Sequence, residues 1–328
     1  MNIRTLKKAI GTALLCLSCV MPFGAAAASD YPIRPIRLVC PYAAGGLTDV
    51  LARVLAKRLS ERIGQPVVVE NRTGAGGIIG VDAVAKSPAD GYTIVLVAQG
   101  LASVNASLHK NLPYDTLRDF APISLVSTFS LVFVGNPELP PKSMEEFIAT
   151  ARAKPGKLDY GSAGNASTSH LMTELLKDQV GIDVVHIPFR GESAAFTELM
   201  GGRLTGMFAT LGGALPSIQS GKLRALAVAT KERNSLLPNV PTVSESGVPG
   251  FEVLGWYGIL APINVPKHIR DRLSKEFMAM AKEPEMRQML ASRGMDSVGS
   301  SPEAFSKMIK SETERWRQVV TKAKIQAD

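Results

Sequence analysis

Two adjacent glycines, Gly45 and Gly46, lie where an apolar segment (36–40) is followed by an amphipathic one in which a leucine recurs every four residues from 51 to 59. The pattern predicts a strand, a short loop and a helix. A glycine loop at a helix start leaves backbone N–H groups without partners and lets a ligand approach the main chain. The helix dipole favours an anion there, such as a carboxylate. The alternative is that the glycines only form a tight turn.

A second loop of small residues, Tyr160 to His170, also precedes a predicted helix. Its hydroxyl and amide groups can hydrogen-bond a carboxylate without an opposing charge. Serine and threonine are common helix caps as well, so capping is the alternative role. For His170, the helix dipole disfavours the charged form. This histidine is interpreted as a surface or capping residue, with a general base as the alternative.

Residues 71–80 (NRTGAGGIIG) nearly match a dinucleotide fingerprint. The register fails, because the third glycine position holds Ile79 in one alignment and the first holds Ala75 in the other. We interpret this segment as backbone that lines the same ligand cleft. No cofactor is expected.

The segment from Gly191 to Ala195 (GESAA) resembles a nucleophile elbow whose last glycine is replaced by alanine. An exported serine hydrolase that uses Ser193 or Ser162 with a histidine is therefore the alternative function. The histidines available to it are His109, His170, His186 and His268. No pairing is visible in the sequence, and we expect no catalytic residue.

Six short segments rich in apolar, often β-branched, residues are predicted strands: 36–40, 67–70, 94–98, 131–134, 184–187 and 224–229. Helical patterns lie between most of them, which is typical of an α/β protein with largely parallel sheets. Capping residues at Ser143 and Ser301 predict two further helix starts.

Two long irregular stretches, 112–120 and 236–250, are each followed by an extended apolar segment, 122–134 and 251–262. These two segments could be paired crossings between two lobes. A mature chain of roughly 300 residues is long enough for two lobes. Such crossings would make the first lobe discontinuous; the lobe limits that we predict are 29–129 with 253–328 for the first lobe and 130–252 for the second.

The first 28 residues have the order of a signal peptide: a basic head, an apolar core at 9–20 and small residues at 23–28. We expect cleavage after Ala28. The apolar core is shorter than the roughly 18 residues of a membrane helix. Cys19 raises a lipoprotein as an alternative, although the residues before it match a lipobox poorly. The mature protein is expected to be exported and soluble.

The whole chain has 37 basic and 29 acidic residues, and three basic residues fall in the signal, leaving 34 and 29. This mild excess is dispersed and lacks the basic, aromatic-rich clusters of nucleic-acid-binding proteins, so no nucleic acid partner is expected. It is compatible with anionic small ligands. Cys40 is the one cysteine outside the signal, so neither an internal disulfide nor a metal site is expected.

The order of motifs resembles the Bug family, the periplasmic substrate-binding components of tripartite tricarboxylate transporters. The matching segments cover nearly all of the mature chain: YPIRPIRLVCPYAAGGLTD, QPVVVENRTGAGGIIGVDAVAKSPADGYT, NLPYDTLRDFAPISLV, KPGKLDYGSAGNASTSHLMTELL, FRGESAAFTELMGGRL, GKLRALAVATKERNSLLPNVPTVSESGVPGFEV and GWYGILAP.

The resemblance implies an α/β, two-lobed periplasmic-binding-protein fold of type II-like form, with two crossing strands and a ligand cleft between the lobes. It implies a carboxylate held by the loops at 42–48 and 162–170, partly through ordered water, with Asp49 as a helix-start residue. The ligand-binding residues it implies are Tyr42, Ala44, Gly45, Gly46, Thr48, Gln99, Gly100, Ser162, Gly164, Asn165, Thr168, Ser169, Arg190 and Thr210.

Two positions in the predicted second lobe depart from the family pattern. Thr210 lies in a loop where many members carry Asp or Asn, and Phe189-Arg190 stands where Tyr-Lys is common. These departures leave the ligand's identity open among di- or tricarboxylates, aromatic acids and acidic amino acids.

We predict a non-catalytic, monomeric periplasmic receptor whose lobes close on a small carboxylate. Delivery to integral-membrane transporter subunits is implied by the resemblance. Presentation of the ligand to a sensor kinase is the alternative use of the same binding site.

Overall fold

The computed structural model describes residues 31–326, so the predicted signal peptide, its cleavage site and Cys19 lie outside the described residues. None of the helices described is both long enough and apolar enough to cross a bilayer.

The first half of the described chain alternates strands with helices. In order, its elements are β1 (Ile36–Cys40), α1 (Leu47–Ile63), β2 (Val67–Asn71), a 3₁₀ turn (Ala75–Gly77), α2 (Ile78–Ala85), β3 (Thr93–Ala98), a π-helical turn (Gly100–Val104), α3 (Asn105–Leu108), α4 (Thr116–Asp119), β4 (Phe120–Phe129), β5 (Leu131–Gly135) and α5 (Met144–Ala153).

The second half continues this alternation and ends in a long helix. Its elements are β6 (Asp159–Ser162), α6 (Thr168–Val180), β7 (Val185–Pro188), α7 (Glu192–Met200), β8 (Met207–Thr210), α8 (Leu211–Gln219), β9 (Arg224–Val228), β10 (Gly255–Pro262), α9 (Lys267–Met280), α10 (Pro284–Ala291), β11 (Met295–Ser297) and α11 (Pro302–Lys322).

All six predicted strands are present, with ends shifted by at most one residue. The two predicted capping serines are also found in that role. The Ser143 hydroxyl accepts a hydrogen bond from the Glu146 N–H, and the Ser301 hydroxyl accepts one from the Ala304 N–H. Each cap satisfies one of the N–H groups that a helix start otherwise leaves unpaired.

The strands form a six-stranded sheet, a three-stranded sheet and a two-stranded sheet. The six-stranded sheet has the order β11-β4-β10-β3-β1-β2, the three-stranded sheet β8-β5-β9, and the third consists of β6 and β7. Pairing is parallel for β1 with β2, β1 with β3, and β6 with β7. The five other pairings are antiparallel.

The expectation of largely parallel sheets is therefore wrong. Alternating strands and helices suggested successive parallel units, but β4 runs directly into β5 of a different sheet with only Ser130 between them. Each of the two larger sheets thereby receives strands that run antiparallel to their neighbours. Hydrophobic periodicity reports which face of a strand is buried and carries no information on strand direction.

The chain passes between the two larger sheets at two adjacent places. The first is Ser130, and the second follows Val253, whose N–H bonds the carbonyl of Ala229 beside β9. Two residues later Gly255 pairs with Phe129, and β10 then runs antiparallel to β4. These are the two expected crossing strands. The lobe limits at 129/130 and 252/253 stay a prediction.

Each of the two larger sheets has its own apolar core. Against the six-stranded sheet, Trp256 packs edge-on to Phe305 of α11, with ring centroids 5.4 Å apart. Against the three-stranded sheet, Phe196 and Leu199 of α7 pack with Val132 of β5. The two larger sheets are therefore covered by two separate clusters of apolar side chains.

Candidate functional site

A cavity of about 770 Å³ is lined by residues that follow strands of both larger sheets and of the β6–β7 pair. The cavity has two walls. The first is formed by segments around the six-stranded sheet, and its polar residues and glycines are Tyr42, Thr48, Gly76, Gly100, Asn105 and Tyr257. The second wall is formed by segments around the other two sheets: Ala163, Asn165, Thr168, Ser169, Glu192 and Thr210.

The start of α1 supplies hydrogen-bond donors at the first wall. Gly46 is the N-cap residue, with an extended backbone (φ −76°, ψ 168°), and no side chain caps the helix. The first N–H groups of α1 therefore lack protein partners within the described chain. Thr48, in this first turn, lines the cavity together with Tyr42, whose phenol oxygen accepts a hydrogen bond from the Ala98 N–H at 3.2 Å.

Asp49 holds the loop before α1 in shape. Its buried carboxylate accepts hydrogen bonds from Arg53 Nε at 3.0 Å, the Gly45 N–H at 2.9 Å and Asn71 Nδ2 at 2.8 Å. These donors, Arg53 foremost, lower the pKa of Asp49 to about 2. Asp49 does not line the cavity. The geometry makes it a support for the loop, as expected, and leaves the helix start free to meet a ligand.

Three of the predicted ligand residues in this loop, Ala44, Gly45 and Gly46, are exposed and are not part of the cavity wall. Gly45 has a positive φ of 84°, a conformation that glycine adopts without strain. The Gly45 N–H is bonded to Asp49, so a ligand would meet this loop through the main chain of Ala44 and Gly46, whereas Tyr42 and Thr48 lie within the cavity wall.

The loop before α6 uses most of its main-chain donors internally. Ser167 is the N-cap residue of α6, and its hydroxyl accepts a hydrogen bond from the His170 N–H. Four amides of the loop donate to acceptors close in sequence: Ala163 to Ser169 Oγ, Gly164 to Ser162 Oγ, Ala166 to His170 Nδ1, and Ser167 to the Gly164 carbonyl. Most main-chain N–H groups of this loop are therefore bonded within the loop and are not available to a ligand. This wall instead presents side chains such as Thr168 to the cavity.

Ser162 and Gly164 lie behind this wall. The Ser162 hydroxyl is fully buried and lies 2.6 Å from His186 Nε2. His186 stacks on His170, with ring centroids 3.8 Å apart, and burial lowers the pKa of His170. Ser162 and His186 therefore form a serine–histidine pair that does not line the cavity. Ser193 is exposed on α7, so neither serine has the arrangement that the hydrolase alternative requires.

Of the remaining predicted residues, Gly100 and Thr210 line the cavity, but Gln99 and Arg190 do not. Gln99 is buried, and its amide nitrogen donates to the Glu312 carboxylate on α11. Arg190 is exposed. Neither residue lies in the cavity wall, so a ligand contact by Gln99 or Arg190 stays a prediction.

Glu192 and Tyr257 are not among the ligand residues predicted from the sequence, although both line the cavity. Trp256 and Tyr257 are neighbours on β10, so their side chains point to opposite faces. The structure places Trp256 in the core and Tyr257 at the cavity. Ala75 and Gly76 also line it, as expected for the segment that imitates a dinucleotide fingerprint.

The cavity is weakly charged. Among the described residues that line it, none is Lys or Arg, and Glu192 is the one acid. Within residues 31–326, no three His, Cys, Asp or Glu side chains converge as a metal site. The wall therefore offers neutral hydrogen-bond donors, residues at the starts of α1, α6, α7 and α8, and one carboxylate.

Comparison with known proteins identifies the family. Residues 51–325 match the tripartite tricarboxylate transporter family receptors. The chain belongs to this family. Members are periplasmic solute-binding receptors and not enzymes, and the resemblance to Bug proteins is confirmed.

Three solved structures of this receptor family show the same fold. Rpa4515 of R. palustris, solved with adipate, is 34% identical and has a TM-score of 0.79 over 90% of this chain and 99% of its own. The periplasmic binding protein BugD is 34% identical, with a TM-score of 0.76 over 91% and 100%. MatC from Rhodopseudomonas palustris, with bound malate, is 30% identical, with a TM-score of 0.75 over 88% and 100%. The expected two-lobed α/β fold is thereby confirmed.

Proposed function

We propose that this receptor binds a small carboxylate in the cavity between its two sheets and delivers it to a tripartite tricarboxylate-type membrane transporter. The periplasm is the compartment in which its family works, and export by the N-terminal signal would bring it there. We propose that the receptor acts as a monomer.

The observation that carries the proposal is the uncapped start of α1 beside Tyr42 and Thr48. Unpaired N–H groups and the positive end of the helix dipole attract a carboxylate. Since the described cavity wall has no Lys or Arg, these neutral donors are the groups available to an anion. Two relatives with the same fold were solved with dicarboxylates, adipate and malate, which is consistent with this chemistry.

Thr168 and Asn165 would complete the grip from the opposite wall. When the two walls approach, water is excluded and each remaining hydrogen bond becomes stronger. The paired crossing at Ser130 and Val253–Gly255 is the place where such an approach would bend the chain. We propose Tyr42, Thr48, Gly100, Asn165, Thr168, Ser169 and Thr210 as direct ligand contacts, with Ala44 and Gly46 contributing main-chain groups.

The test is a thermal-shift screen of the mature protein against mono-, di- and tricarboxylates, aromatic acids and acidic amino acids. A ligand that binds the folded state raises the melting temperature by mass action, about 2.7 kcal/mol at 100 times its dissociation constant. Calorimetry should then show one site per chain and an unchanged ligand afterwards. Absence of binding across the whole series, or steady conversion of a bound compound, would refute the proposal.

A further inference from the structure

Glu192 is an acid in the cavity wall with an unusual set of partners. It is the first residue of α7, a position where an acid ordinarily stabilises its own helix. Here the carboxylate also bonds Thr210, which is the last residue of β8 and the N-cap residue of α8. Oε1 accepts from the Thr210 N–H at 2.7 Å and Oε2 from the Thr210 hydroxyl at 2.8 Å.

No positive charge balances Glu192. It forms no ion pair with a Lys, Arg or His in the part of the chain that the structure describes. Burial raises the pKa of Glu192, and the two hydrogen bonds from Thr210 offset this only in part. A carboxylate has about four lone-pair sites, so the oxygens of Glu192 keep acceptor capacity towards the cavity. A half-buried carboxylate without a counter-charge is costly, and a cationic ligand group would relieve that cost.

Glu192 also lies near the first wall of the cavity, which contains the start of α1. Burial raises the pKa of Tyr257, and the charge of Glu192 is close enough to raise it further. The Tyr257 phenol in turn receives a long hydrogen bond, 3.4 Å, from the Thr48 hydroxyl. Thr48, Tyr257 and Glu192 all line the same cavity, so a small molecule bound there faces both the start of α1 and the Glu192 carboxylate.

We infer that Glu192 makes this receptor select carboxylates that carry a cationic nitrogen at their far end. This inference rests on the proposed binding of a carboxylate at the start of α1. With the carboxylate there, the other end of the ligand meets Glu192. An ammonium group gains a charge-assisted hydrogen bond at that point, whereas a second carboxylate meets a like charge and is disfavoured.

The experiment compares ω-amino acids with dicarboxylates of equal length by calorimetry: 4-aminobutyrate with succinate, 5-aminopentanoate with glutarate, and 6-aminohexanoate with adipate. In the wild type, the best amino acid should bind at least about tenfold more tightly than its dicarboxylate partner, a difference of about 1.4 kcal/mol. In Glu192→Gln this preference should vanish or reverse, because the amino acid loses its counter-charge and the dicarboxylate loses the repulsion.

Glu192→Gln should fold, since its amide oxygen can still accept from the Thr210 N–H and its amide nitrogen can donate to the Thr210 hydroxyl. Glu198→Gln is the matched control. Glu198 lies on the same helix, pairs with Arg203 and does not line the cavity, so its removal should leave the preference unchanged.

Two outcomes separate this inference from the function beneath it. If dicarboxylates bind at least as well as their amino acid partners, and Glu192→Gln leaves the ratio unaltered, the role of Glu192 is refuted while carboxylate binding stands. If no compound of either set binds while another carboxylate of the thermal-shift screen does, this inference is refuted and the carboxylate site stands; if nothing in the whole screen binds, both are refuted.

Discussion

Replacement of Gly46 by aspartate should stabilise the empty receptor while abolishing its ligand binding. Gly46 already has the extended conformation of an N-cap residue, and α1 lacks a side-chain cap. A Cβ at this position would have Ala43 O as its nearest neighbour, at 3.5 Å, an ordinary van der Waals contact. The aspartate side chain can therefore bond the free N–H groups of α1 without moving the backbone.

The expected magnitudes follow from those contacts. A better cap and a favourable charge at the helix start should add about 1 kcal/mol to the free energy of unfolding. For a chain of this size, that raises the melting temperature of the ligand-free protein by roughly 2 °C. A ligand carboxylate that loses two charge-assisted hydrogen bonds, each about 1.5–3 kcal/mol, should bind at least about 100-fold more weakly.

Thermal denaturation and calorimetry with the best carboxylate from the screen measure both effects. Gly46→Asn is the matched control, since it caps the helix without adding a charge, and it should lose less affinity than Gly46→Asp. Unchanged affinity in Gly46→Asp would refute the assignment of the α1 start as the anion site. A lowered melting temperature would contradict the cap geometry.

Three further predictions concern the fold and the rejected alternative. The pKa of Asp49 is lowered by Arg53, so the stability it provides is complete above its ordinary pKa and is lost as the pH falls through about 2. Urea unfolding of the wild type should therefore lose up to about 2 kcal/mol more between pH 5 and pH 2 than that of Asp49→Asn, and equal slopes would contradict this. Gly258→Ala would place a Cβ 2.0 Å from the Phe305 ring and should lower the free energy of unfolding, measured by chemical denaturation, by about 1–3 kcal/mol. Adding Phe305→Leu should recover part of this loss. If the effects of the two substitutions simply add, the clash is refuted. Ser193→Ala should leave ligand affinity unaltered, and a loss of ester turnover in this variant would instead revive the hydrolase.

The strands could be predicted from the sequence because β-branched segments report their own burial. Their pairing could not. Ser130 places β4 and β5 in different sheets, and nothing in an apolar run from 122 to 134 shows where one sheet ends and the next begins. Whether a strand pairs parallel or antiparallel depends on where the chain changes sheets, because the strand after that residue pairs with the strands of a different sheet.

For the candidate site, the helix start could be predicted from the sequence, but the acid in the cavity wall could not. Gly46 and Thr48 could be placed at a helix start from local pattern alone. Glu192 could not be recognised, because an acid in the first turn of a helix is an ordinary local feature. Its partner Thr210 lies 18 residues away, and only the folded chain brings the two together.

The lack of Lys and Arg in the described cavity wall has a consequence for how quickly cargo departs. The attraction of a helix start fades within about one turn, whereas that of a full charge reaches much further. At the proposed site, a carboxylate held by main-chain N–H groups would therefore dissociate once the walls separate, since no ion pair with Lys or Arg would retain it. The residence time of the ligand would then depend on the rate at which the walls separate. A membrane partner that separates the walls on docking would thus release the ligand.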